Sequence, residues 1–289
     1  MKIYFMFVAG FILLVAGQVV ELATAAPLAD TVGLNGAACA YPTIGNALAD
    51  AAEGDTLYLA PAVYNESLGE IGLDLHLTAA TADCTAADPE ADRANYIING
   101  TMFAAEGGVV HITAGHTVTF TRLTLQNGQA TRGGVLYVAG GATAVLERSD
   151  VRLGIAAESG GLIYVAEGGN LVAYQAFLEG GSAATGGGLY LLGNAEMNFT
   201  NLWGSFANVG GGVAVSAEGY LVWQNGNVGS ENDPNTASKD GGGLHLTSFA
   251  TVELWGTNIR GNQAGRNGGH LRPRPRGVHH FAGQYPHLP

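Results

Sequence analysis

The chain has 289 residues, of which 45 are Gly, 9 Pro and 2 Cys, with 12% charged residues and a formal net charge of −12. Abundant glycine with so little charge suits one elongated domain of many short strands joined by tight corners. The acidic balance, with Lys only at positions 2 and 239, argues against a nucleic-acid footprint, so no nucleic-acid partner is expected.

Residues 1–25 read as a signal peptide. Met1-Lys2 precedes an uncharged run from Ile3 to Val20, and Ala23-Thr24-Ala25 stands before Ala26-Pro27 as an A-x-A cleavage site. Gly10, Gly17 and Gln18 weaken the run as a membrane span, so cleavage after Ala25 is favoured over an uncleaved N-terminal anchor. Either reading places the remaining chain outside the cytoplasm, secreted or at the cell surface or outer envelope. No stable membrane span is expected after signal cleavage.

Residues 26–106 form an N-terminal cap and the first coils. Cys39 and Cys84 are a candidate disulfide in an exported chain, the alternative being two buried thiols. Thr43 or Asn46 caps a short predicted helix running to about Ala52, with Ile44, Leu48 and Ala51 on one face. That helix covers the open end of the first coil, which would otherwise be an unpaired edge. A strand over Thr56 to Leu59 follows, then a corner containing Pro61 and a second strand at Val63-Tyr64. Asn65, Asn99 and Asn198 begin N-x-S/T triplets, which occur often by chance.

Residues 107–267 are repeats. A Gly-Gly pair precedes an aliphatic, aromatic or small, aliphatic triplet whose first member is Val110, Leu136, Ile163, Leu189, Val213 or Leu244, with Leu271 in a damaged copy. The spacings are 26, 27, 26, 24, 31 and 27 residues, the mark of stacked repeats. Counting on, two further apolar columns read Val118, Ala144, Leu171, Met197, Leu221, Val252 and Phe120, Leu146, Ala173, Phe199, Trp223, Leu254. A third run carries Leu125, Val151, Leu178, Gly204, Val228 and Ile259. Each unit therefore holds about three strands with period-two burial and no helix. Such a unit cannot bury its apolar columns alone, and stacking coils about 4.8 Å apart turns the columns into interior ladders. The predicted fold is all-β: a right-handed single-stranded parallel β-helix, a solenoid with a short N-terminal capping helix. A leucine-rich repeat would show its own consensus, and a propeller blade needs about 40 residues.

The long spacing belongs to Ser230–Asp240, read as a solvated insertion in which Glu231, Asp233 and Asp240 match no standard calcium loop. Residues 268–289 form an atypical Pro/Arg/His-rich tail holding four of the nine prolines, and Pro273 replaces the aliphatic that the repeat requires. Proline cannot donate to a ladder. A frameshift near Gly269, with truncation of the repeats, is preferred to a metal-binding basic tail built on His279 and His280.

The segments GDTLYLAP and VYNE resemble the start of secreted right-handed β-helix proteins of the pectate-lyase-like superfamily. GGVLYV, GGLIYV, GGGLYL and GGGLHL, with NGQATRGG and NQAGRNGG, are similar to polymorphic outer-membrane-protein repeats. The resemblance covers about residues 38–269 and implies the fold. It leaves activity open, because the superfamily holds lyases, hydrolases and adhesins.

A lyase needs a carboxylate cluster with a basic residue, and a glycosidase two or three acids near the scissile bond. The nearest constellation is Asp150, Glu147, Arg122 and Arg148 at one corner of two adjacent coils, for which a solvated salt-bridge patch is the plainer reading. The triplet centres His111, Tyr137, Tyr164, Tyr190, Ala214 and His245 should point outward and form an aromatic strip, able to bind a glycan or to brace neighbouring coils. A second outward column is read as Thr124, Asp150, Phe177, Trp203, Asn227 and Asn258. No cofactor and no metal site is expected. The sequence thus points to a non-catalytic exported protein, structural, adhesive or carbohydrate-binding, with a cell-surface glycan or envelope polysaccharide as partner. The alternative is a polysaccharide lyase or glycoside hydrolase.

Overall fold

A computed structural model describes residues 30–101, 103–266 and 268, with the backbone of four further strands, Ile12–Val15, Gln18–Glu21, Leu271–Arg272 and His279–Ala282. β-Branched and aromatic residues between glycines suit a short pleated strand, and each triplet is one. Val110 pairs with Leu136, Leu136 with Ile163, Ile163 with Leu189, Leu189 with Val213 and Val213 with Leu244, all in parallel. These strands form sheet I, eight strands from Gly69–Ile71 to Leu271–Arg272. Sheet II has ten, from Val32–Leu34 through Thr117–Thr121 to His279–Ala282, and sheet III has eight, from Ala62–Tyr64 to Asn258–Ile259. The result is a parallel β-solenoid of about six turns.

Each full coil contains four strands, not three. Sheet IV, seven strands from Phe103–Glu106 to Gln263–Ala264, lies between sheet III and the next Gly-Gly pair. Its inward side is a column of alanines: Ala130 pairs with Ala104 and Ala156, and Ala237 with Ala207 and Ala264. One small apolar residue per strand leaves no alternation to detect, which is why the sequence pattern passes over it.

The 24-residue spacing also falls elsewhere than the columns assumed. Four residues separate Val165 from Asn170, whereas only Leu192 and Gly193 separate Leu191 from Asn194. The loss therefore lies at the corner directly after the triplet, and all later positions of that coil shift by two. Ala195 pairs with Leu171 and Leu221, and Met197 with Ala173 and Trp223. Leu202, not Gly204, pairs with Leu178 and Val228, and Asn201, not Trp203, continues the column of Phe177. Phe199 sits at a left-handed corner (φ 49°) and is exposed.

The corrected columns build one interior that runs from Val32 to Leu254. Phe120, Leu146, Ala173, Met197, Trp223 and Leu254 stack beneath sheet II, and the fully buried Trp223 donates its Nε1–H to the Thr200 carbonyl at 3.0 Å. At the N-terminal end, Val32–Leu34 pairs antiparallel with Thr56–Leu59 beside the helix Ile44–Asp50. Thr43 caps that helix, its Oγ1 accepting from Asn46 N at 3.1 Å, while the Glu66 carboxylate accepts from Ile44 N and Gly45 N at 2.8 and 2.9 Å. A disulfide joins Cys39 to Cys84.

The insertion is only half solvated. Glu231, Asn232 and Asp233 are exposed, but Asn235 is buried, donating to the Leu202 carbonyl at 3.0 Å, and Thr236–Asp240 is a sheet IV strand. Asp240 is buried against Arg266 at 2.8 Å. The expected leader lies outside the described residues apart from the antiparallel pair Ile12–Val15 and Gln18–Glu21. The tail does too, except where Leu271 joins sheet I opposite Leu244 and His279 joins sheet II opposite Val252. Among the described residues, no helix is long and apolar enough to cross a membrane.

Candidate functional site

The Gly-Gly pair shapes the outer surface as well as the stack. Its first glycine takes a positive φ, 63° at Gly133 and 67° at Gly160, which side chains resist. The second lies against the next coil: a Cβ on Gly134 would stand 2.1 Å from the Gly161 carbonyl oxygen. The turn brings outward residues from either side of it face to face. Arg132, just before the pair, places its guanidinium 5.5 Å from the Tyr137 ring centroid and 5.4 Å from that of Tyr164. Arg132 and the tyrosines, outward on consecutive strands, thus meet across this corner, and with Tyr137 and Tyr164 nearly covered, sheets IV and I bound a seam there.

The triplet centres line one wall of this seam rather than an open strip. Tyr137 and Tyr164 stack at 5.0 Å and 4° and Tyr164 and Tyr190 at 5.3 Å and 17°, while His111 meets Tyr137 edge-on at 4.8 Å. Their ring faces are occupied by one another and by Arg132. Tyr137 is 7% exposed and Tyr164 5%, His111 and Tyr190 are half-buried, and Ala214 and His245 are buried. Burial raises the pKa of Tyr137 and of Tyr164, keeping both hydroxyls protonated. The expectation of an exposed aromatic strip is thus corrected: strand alternation turns these residues outward, but the corner covers them.

The opposite wall is the residue before each Gly-Gly pair: Glu106, Arg132, Ser159, Thr185, Val209 and Asp240 pair in succession. At the N-terminal end the seam carries its charge. Glu106 forms a short ion pair with Arg132, and its Oε2 lies 3.8 Å from His111 Nε2, while Glu70 Oε1 lies 3.6 Å from His111 Nδ1. The seam opens here into a cavity of about 250 Å³ lined by Ser67, Glu70, Phe103, Glu106 and His111, with Phe103 65% exposed. Glu70, Phe103, Glu106 and Arg132 were missed in the sequence. The column preceding the Gly-Gly pairs was the available signal for Glu106 and Arg132.

The four candidate catalytic residues do lie at one corner of two adjacent coils, where Arg122 N donates to the Glu147 carbonyl at 2.9 Å, but their side chains take separate partners. Asp150 is 2% exposed and pairs with Arg93 and Arg152, both at 2.6 Å. Desolvation raises its pKa, opposed by the two guanidinium groups. Arg122 and Arg148 sit at successive left-handed corners (φ 57° and 51°), where Arg122 donates to the Ala91 carbonyl at 3.2 Å and Arg148 to Gln175 Oε1 at 2.8 Å. Glu147 is exposed and accepts from Thr121 at 3.3 Å.

Asp150 is buried because the short segment around residues 91–95 lies over the outside of sheet III. Arg93 in this segment also donates to the Gln175 carbonyl at 3.1 Å, and its own carbonyl accepts from Thr124 at 2.9 Å. The carboxylate therefore anchors a strap and faces no open groove. Among the described residues, one further group, Glu53, Asp74 and His116, brings three metal-ligating atoms together. No protein-family model, curated protein or solved structure matches the chain.

Proposed function

We propose that the chain is an exported, non-catalytic right-handed β-helix of the pectate-lyase-like superfamily, with polymorphic outer-membrane-protein-like repeats. In this reading it acts at the cell surface or in the extracellular space as an adhesive or structural element that binds surface glycan or envelope polysaccharide. The supporting observation is the cavity at the N-terminal end of the seam. It is concave, its exposed Phe103 offers a ring face, and Glu70, Glu106 and His111 converge on it as hydrogen-bonding groups. A sugar presents an apolar face and a ring of hydroxyls, and this lining complements both. The stacked tyrosines act as a stiff wall rather than as the contact surface. Glycan-array binding by the full chain tests this: binding should be lost in Phe103→Ala and weakened in Glu106→Gln. A ligand bound equally by both variants would move the site elsewhere.

The second reading, a polysaccharide lyase or glycoside hydrolase, draws on the same cavity, where two carboxylates flank an imidazole. Incubation with acidic and neutral polysaccharides, following unsaturated product in the ultraviolet and new reducing ends, separates the readings. Turnover abolished by Glu106→Gln would replace the first with the second.

A further inference from the structure

Glu53, Asp74 and His116 stand just upstream of three neighbouring sheet II strands, Thr56–Leu59, Leu75–Ala79 and Thr117–Thr121, at one corner of the stack. His116 Nδ1 lies 3.5 Å from Glu53 Oε1 and 3.7 Å from Asp74 Oδ1, and the ligating atoms all lie within 4.8 Å of one another. These gaps exceed an N–H···O hydrogen bond, which spans about 2.7–3.2 Å. The two gaps to His116 are close to the roughly 3.4 Å that separates ligands about 2.1 Å from a tetrahedral Zn²⁺, so a small closure of the Glu53 and Asp74 side chains would complete the site.

Both carboxylates are already oriented by backbone. Asp74 N donates to Glu53 Oε2 at 2.6 Å, and Thr117 N to Asp74 Oδ1 at 2.7 Å. Two fixed carboxylates and an imidazole form a mixed nitrogen and oxygen donor set, which suits zinc, whereas Ca²⁺ takes six to eight oxygens. The side chains of Glu53 and Asp74 are more than half exposed, so solvent can reach a fourth coordination position.

We propose that Glu53, Asp74 and His116 bind one zinc-type divalent cation, which cross-links three successive levels at the N-terminal end of the solenoid. The site is independent of the glycan cavity and of the strap. Its ligands are scattered through the sequence, and only stacking gathers them. Calorimetric titration of the full chain with Zn²⁺ and with Ca²⁺ tests the proposal, with melting followed by circular dichroism. One equivalent of Zn²⁺ should bind in preference to Ca²⁺ and raise the melting temperature. His116→Ala, Glu53→Gln and Asp74→Asn should each weaken Zn²⁺ at least about tenfold and abolish the thermal shift. Asp74→Asn keeps an oxygen for Thr117 N, which separates lost ligation from lost folding. A His279→Ala/His280→Ala variant should bind as the parent does. Zn²⁺ affinity unchanged in all three corner variants, loss of binding with the two tail histidines alone, or no preference over Ca²⁺ would overturn the assignment.

Discussion

Gly161→Ala isolates the coil-stacking role of the second glycine of a pair from the turn conformation that a positive-φ glycine supplies. A Cβ on Gly161 would lie 2.1 Å from the Gly187 oxygen and 2.3 Å from Ser182 N, both backbone atoms of the next coil. No side chain can step aside, so relief requires the coils to part by about 1 Å, since packed atoms tolerate little overlap. Three bonds cross that gap: Gly161 N to Gly186 O at 3.1 Å, and Leu162 N and Ile163 N to Gly188 O at 3.0 Å each. Stretched by about 1 Å they leave hydrogen-bonding range, at roughly 1 kcal/mol apiece. Overpacking adds about 1–3 kcal/mol, for a total of about 4–6 kcal/mol. Gly168→Ala is the comparison: it holds φ 74°, and its Cβ would meet nothing nearer than Gly141 N at 3.7 Å. Left-handed conformation alone costs about 1–2 kcal/mol there. Urea denaturation at constant m-value measures both. Variants lying within about 1 kcal/mol of each other would refute the stacking role.

The raised pKa of Asp150 means that the folded state holds the proton more tightly than the unfolded chain. Its favourable contribution is complete below the unfolded value of 3.8 and fades as pH rises through the folded pKa. Acidification from neutrality should therefore stabilise the parent relative to Asp150→Asn in urea melts, and the opposite slope would show that the arginine pairs outweigh burial. Replacing Cys39 and Cys84 by serine should cost about 2–4 kcal/mol by loop closure, and local hydrogen exchange should rise over the cap; a melt unchanged from the oxidised parent would contradict this. Arg132→Ala uncovers the Tyr137 and Tyr164 rings and should cost about 1–2 kcal/mol from two cation–π contacts. Nitration mapped by mass spectrometry should increase at Tyr137, and unchanged reactivity would show that the ladder is covered by something else.

Much of the fold was legible because the sheet I and sheet II columns place large aliphatics at period two, a signal that survives without an alignment. Sheet IV was not, since Ala130 or Ala207 alone on the inward side of a polar strand carries no period. The two-residue loss at Leu192-Gly193 was invisible for a related reason: Met197 and Phe199 are both apolar, so either register satisfies the pattern, and only pairing selects Met197. The candidate site fared worse. Outward direction was readable for Tyr137 and Tyr164, but exposure depends on the corner, and hence on a strand the pattern did not reveal. Asp150 looked available because Arg93 reaches it from another coil, with no local mark in the sequence.

The segment 91–95 gives the molecule a folding order. A solenoid whose coils touch only their neighbours can zip from any point, yet the Arg93 contact to Gln175 closes a loop of 82 residues. Its binding surface on sheet III does not exist until Thr124, Asp150 and Gln175 are stacked, so the strap docks after coils synthesised later than itself. Closure entropy of that loop is then added on top of a formed core. Once docked, it couples the opening of separate coils, so that fraying from one end must also release the other end of the clamp. The early coils should accordingly exchange their amides as one unit with those around Gln175 rather than as independent rungs.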